Sequence, residues 1–111
     1  MAKLTGEKGD PAGAEGLWRE LLAGDPGDPD ALAGLAEALA DQGRPAEAVT
    51  LFESAIRDRP ADPRIHLSAA SFFVELEPPD RRPAAAHFRQ AMALGHRPSP
   101  FEMERFLGAG R

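Results

Sequence analysis

The side chains best suited to proton transfer or metal ligation are three histidines, His66, His87 and His96. Imidazole titrates near neutral pH and is a common metal ligand. None of the three stands at the i, i+4 spacing that places two ligands on one helical face. His66 and His87 fall on or beside positions that should pack, so they read as packing or partly exposed imidazoles. Cysteine is absent, which removes disulfides, thiolate nucleophiles and cysteine metal sites together. Ser54, Ser68 and Ser71 fall within helical patterns, Ser99 stands at a helix start, and none occupies a nucleophile elbow. The acid pairs Glu75/Glu77 and Glu102/Glu104 read as solvated surface. No Gly-Lys-Ser/Thr run marks a phosphate loop. The residues therefore predict no catalytic set, no metal site and no cofactor, and the chain is expected not to be an enzyme.

Composition narrows the field further. The 111 residues suit one domain with a modest core. The net charge of −5 opposes non-specific nucleic-acid binding, since phosphates would be repelled. Aromatics are sparse, with one tryptophan and no tyrosine, so a stacking platform for single strands is not expected. Apolar runs such as Phe72-Phe73-Val74 fall far short of the roughly 18 residues of a membrane span. Residues 1–9 are polar and glycine-containing, lack the apolar stretch of a secretory signal, and read as a flexible tail. With no cysteine, these features predict a cytoplasmic location.

The elements that position all these side chains emerge from self-comparison. Shifted by 34 residues, Gly9 meets Gly43, Pro11 meets Pro45, Pro26 meets Pro60, and Asp28-Pro29 meets Asp62-Pro63. The apolar set Ala14, Leu17, Trp18, Leu21, Leu22 meets Ala48, Leu51, Phe52, Ala55, Ile56. So many coincidences at one offset define a structural repeat. Each set has i, i+3, i+4, i+7, i+8 spacing, one face of an α-helix. Prolines stand where first helical turns tolerate them. Six helices are predicted, over about 11–24, 29–42, 45–58, 63–76, 82–94 and 99–108. In the third copy Ala84, Phe88, Ala91 and Met92 repeat the face 36 residues on, so two residues are inserted near Glu77-Pro78-Pro79-Asp80. A turn insertion costs little loop entropy.

These residues resemble the tetratricopeptide repeat family. Leu32, Leu35, Ala36, Leu39, Ala48, Phe52, Ala55 and Pro60 match its alternating large and small positions over residues 29–62. A half repeat precedes (10–28, with Ala14, Trp18 and Pro26) and a degenerate repeat follows (63–98). Residues 99–111 form a capping helix and tail. His66 and His96 depart from the pattern, standing where a large apolar residue and a proline are usual. The resemblance implies an all-α, short right-handed superhelical solenoid of antiparallel hairpins. Small residues let helices approach and large ones fill the gaps, while each hairpin covers its neighbour.

The resemblance also implies a concave groove lined by the first helix of each pair. Its partner-binding positions here are Asp30, Ala33, Gly34, Glu37 and Asp41, then Arg64, Leu67, Ser71, Val74 and Glu75. Ala40 and Ser68 share those faces. The cationic clamp with which some relatives grip carboxylate tails is missing. A floor of Leu67 and Val74 ringed by acids suits a basic, amphipathic peptide segment. Gly34 costs about 1 kcal/mol relative to alanine inside a helix, which points to close approach by a partner or a neighbouring helix. At the C-terminal end Ser99-Pro100-Phe101-Glu102 reads as a capping box. Phe101, Met103, Phe106 and Leu107 exceed one narrow stripe and make a second apolar patch. The function predicted is a non-catalytic protein-interaction module, an adaptor or small subunit. The alternative is a homo-oligomer, in which open solenoid ends build dimers or filaments.

Overall fold

A computed structural model describes residues 10–108. The flexible tail expected over 1–9 and the last three residues lie outside the described residues. Six helices follow one another: α1 (Pro11–Gly24), α2 (Pro29–Asp41), α3 (Pro45–Asp58), α4 (Pro63–Glu75), α5 (Arg81–Ala93) and α6 (Pro100–Leu107). No strand occurs among the described residues.

The starts are set by local chemistry. Asp10, Asp28 and Asp62 each place a carboxylate on a free backbone N–H of the first turn, that of Gly13, Asp30 and Arg64 respectively, at 3.0 Å. A proline follows each acid at a position whose N–H has no helical partner. At α6 the Ser99 hydroxyl accepts from the Glu102 N–H at 3.2 Å. The Glu102 carboxylate accepts from the Ser99 N–H at 3.0 Å, so the predicted capping box is formed. That bond, with His96 at 3.0 Å, holds the Glu102 carboxyl below its usual range. Gly43 closes the turn between α2 and α3 at φ +78°, a conformation that disfavours side chains.

Helices pack on sequence neighbours, and α2 also packs on α4, as in a solenoid of hairpins. The main core gathers Leu32, Leu35, Leu39, Ala48, Phe52 and Ile65, with the Phe52 and Phe72 rings 5.7 Å apart. Alanines 36, 48, 69 and 84 are fully buried where helices meet, the close-approach role their size predicts. A second cluster joins Ala70, Phe88 and Phe106, with the two rings 4.8 Å apart. This cluster seats α6 on α4 and α5.

Polar ties add register. On the α1 side, Glu15 accepts from Gln42 and Arg44, each at 2.9 Å, and from Arg19. Those donors hold its carboxyl down at about 2, the Gln42 bond foremost. The Ser68 hydroxyl donates to the Pro29 carbonyl at 3.0 Å, tying α4 to the start of α2.

One contact escaped the sequence. His66 of α4 and His87 of α5 place their Nδ1 atoms 3.1 Å apart. The His87 ring stacks on Phe73 at 5.8 Å, nearly parallel. One imidazole donates and the other accepts, so the bond cannot form with both rings protonated. Burial pushes both below the ordinary value of 6.5, and each ring's charge would oppose the other's; Asp62 and Glu53 only partly offset this. The unfolded chain therefore binds protons that the folded chain refuses. The pair's contribution to stability is complete above the unfolded value and is lost as pH falls from there through the depressed folded values. Urea unfolding at about pH 7.5 and about pH 5.5 should show stability falling, by at most about 1.4 kcal/mol per pH unit for each group. The variant His66→Leu/His87→Phe should flatten that slope. An equal slope in wild type and variant would remove the pair as its cause.

Candidate functional site

The first helices of successive pairs, α2 and α4, lie side by side and leave a cavity of about 330 Å³ between them. Helix α2 supplies Ala33, Gly34, Glu37, Ala40 and Asp41, whereas α4 and its exit supply Ser71, Phe72, Glu75, Leu76 and Glu77. The helical period explains the α2 set. Leu32, Leu35 and Leu39 turn inward to the core, so the residues about one step around the helix face the cavity. Four carboxylates border the space, no basic residue lines it among the described residues, and Phe72 and Leu76 give it an apolar floor.

The structure thus gathers six of the ten expected partner-binding residues: Ala33, Gly34, Glu37, Asp41, Ser71 and Glu75. It places the other four elsewhere. Leu67 and Val74, the expected floor, are partly buried against the Phe88–Phe106 cluster. Once α6 docks on α4, that side of α4 belongs to the helix–helix contact. Asp30 and Arg64 sit in the first turns of their helices, beyond the cavity, and Arg64 pairs with Asp62 at 3.0 Å.

Gly34 is explained by a neighbouring helix. A Cβ there would lie 2.2 Å from the Trp18 indole, which is wedged against α2 from α1. Trp18 stands where the repeat elsewhere has Phe52, and its larger ring reaches the α2 backbone only because no side chain intervenes.

Arg105 of α6 reaches the groove's edge. It donates to the Ser71 hydroxyl at 3.4 Å and to the Glu75 carboxylate. A guanidinium from α6 therefore already sits on Glu75.

The second apolar patch needs correction. Phe106 is buried and Leu107 partly so, both packed in the cluster under α6. Phe101 and Met103 remain on the outside, 72% and 39% exposed. An eight-residue helix buries one stripe only, and the stripe that faces α5 carries Phe106.

Sequence reasoning missed Phe72, Leu76 and Glu77. Phe72 was legible as apolar, but its double contact, ring on Phe52 and edge on the cavity, needs the α2–α4 spacing. Leu76 and Glu77 follow the end of α4, where no helical period applies. Among the described residues no three His, Asp or Glu side chains come together as a metal would require, and no helix is long and apolar enough to cross a membrane.

Stacked antiparallel hairpins with a groove along the first helices define a helical-repeat interaction fold. A family model for the tetratricopeptide repeat matches residues 7–71, and the chain belongs to that family. It is also similar to cellulose synthase operon protein C of Pseudomonas fluorescens (strain SBW25), at 51% identity over 41 residues. That match covers 37% of this chain and 3% of the relative, so the chain spans a small fraction of that protein's length. No solved structure matches the chain. Repeats of this family generally mediate protein–protein interaction.

Proposed function

We propose that the chain is a non-catalytic binding module whose α2–α4 groove holds a basic, amphipathic segment of another polypeptide. The observation that carries this reading is the groove's composition: Glu37, Asp41, Glu75 and Glu77 around Phe72 and Leu76, with no basic lining residue among the described residues. A lysine or arginine brought between these acids gains charge-assisted hydrogen bonds and is steered there over about a Debye length. An apolar side chain between them would cover Phe72 and Leu76, while Ala33 and Ala40 let the bound backbone come close. Arg105 on Glu75 supports the same preference, because an arginine side chain already sits on this wall.

Fluorescence anisotropy with a labelled synthetic amphipathic peptide bearing alternating arginine and leucine faces tests the reading. Wild type should bind it and ignore the same peptide with arginine changed to glutamate. Glu37→Lys/Asp41→Lys, both exposed on α2, should keep the helical spectrum and weaken binding at least about tenfold, or about 1.4 kcal/mol. Equal binding of both peptides, or no effect of the reversal, would sink the proposal.

A further inference from the structure

Charge is divided unevenly over this acidic chain. Residues 81–97 hold four arginines and no Asp or Glu. Elsewhere arginines are mostly spoken for: Arg19 and Arg44 on Glu15, Arg59 on Asp25, Arg64 on Asp62 and Arg105 on Glu75. Arg81, Arg82, Arg89 and Arg97 make no side-chain ion pair or hydrogen bond among the described residues. On α5 the residues Arg82, Ala86, Arg89 and Ala93 recur every three or four positions and are all exposed. They form one stripe on the helix face opposite the buried Ala84, Phe88 and Ala91. The stripe sets two free cations seven residues apart, about 10 Å along the axis, with only alanine methyls between and beyond them.

The α2 face that includes the groove residues Ala33, Glu37 and Ala40 carries the opposite of this pattern. Along α2, Asp30, Ala33, Glu37 and Ala40 repeat acid, alanine, acid, alanine, with the acids also seven residues apart. Alanines on both stripes let two helices approach to the short end of the usual 8–10 Å range. The charged ends would then meet in register. Within one chain the two cannot meet, because α2 and α5 do not touch.

From this we infer that the chain recognises a second copy of itself, with the α5 stripe of one copy lying along the α2 wall of the next. This rests on the groove reading and names one occupant for it. The contact joins two different surfaces, so each copy keeps a free stripe at one side and a free groove at the other. Such a head-to-tail contact propagates into open chains unless its rotation happens to close a ring. Being built on exposed charges, it weakens steeply with salt.

Sedimentation velocity of the full chain tests it. At about 0.03 M salt the weight-average mass should rise with concentration above that of one chain, and at about 0.5 M salt it should fall back to one chain. Arg82→Glu/Arg89→Glu should be monomeric at low salt, yet bind the arginine–leucine peptide as wild type does. Asp30→Lys/Glu37→Lys should be monomeric and lose the peptide as well. Mixed in equal amounts, the two variants should associate again, since each offers the charge the other now lacks. A wild type that stays one chain at low salt and about millimolar concentration overturns the inference; so does an α5 reversal that leaves the mass unchanged. If the peptide still binds in either case, the groove reading survives; if it does not, both fall.

Discussion

Phe52→Ala is expected to lower the unfolding free energy by about 3–5 kcal/mol, read as a shift in the urea midpoint by circular dichroism. Phe52 is 1% exposed and belongs to the main core. It shares its core cluster with Leu32, Leu35 and Leu39 of its own hairpin and with Ile65 and Phe72 of the next, and its ring meets that of Phe72. Fully buried alanines on α2, α3 and α4 hold those backbones close, so the helices have little freedom to collapse into the void. That rigidity places the loss toward the upper part of the range. A domain of this size has about 5–15 kcal/mol in total, so the loss would remove a large part of its stability. A functional consequence follows from the same ring. Phe52 supports Phe72 at 5.7 Å, and Phe72 floors the groove. Even the folded fraction should therefore bind the basic peptide more weakly. Stability unchanged within about 1 kcal/mol would mean that the hairpins do not share the core described here.

How far the sequence disclosed this arrangement depends on the physical range of each signal. Local signals were fully legible. Asp-Pro at 28–29 and 62–63 and Ser-Pro at 99–100 mark helix starts because the caps act within three residues. The spacing of Leu32, Leu35 and Leu39 identifies the inward face of α2, and therefore also the outward positions of Glu37 and Asp41. The partition of α4 was less legible. Leu67 and Val74 lie on the expected groove face, but that face is contested by α2 on one side and α6 on the other. Which neighbour covers them depends on where an eight-residue helix docks. Phe101, Met103, Phe106 and Leu107 are too closely spaced to single out one stripe on so short a helix. Contacts across the inserted turn were hidden as well. His66 and His87 are 21 residues apart and meet only because the α4–α5 connection sets a particular register. Gly34 did carry a signal, the cost of glycine within a helix. Only the fold could say that the visitor is Trp18 from the preceding helix.

The C-terminal cluster allows a contrasting test of how far cooperativity extends along the stack. Phe88 is fully buried, and its ring holds Phe106 at 4.8 Å and His96 at 6.2 Å. Phe88→Ala should also cost about 3–5 kcal/mol by the cavity it leaves. The loss should be distributed differently. Phe52 lies between hairpins that each pack on both sides, whereas among the described residues Phe88 has only α6 beyond it, and α6 touches only the helices α4 and α5. In a quasi-one-dimensional stack a defect near one end releases that end first. Hydrogen exchange should therefore show protection lost over α5 and α6 while α2 and α3 retain most of theirs. Release of α6 would withdraw Arg105 from Glu75 and Ser71, so Glu75 would become available to a basic ligand. Loosening α5 would at the same time disorder the Arg82–Arg89 stripe. The variant should thus keep or gain affinity for the arginine–leucine peptide while losing self-association, an outcome that general destabilisation would not produce. Protection lost equally from α2 to α6 would instead mean that the stack unfolds as one unit, with Phe88 as central to it as Phe52.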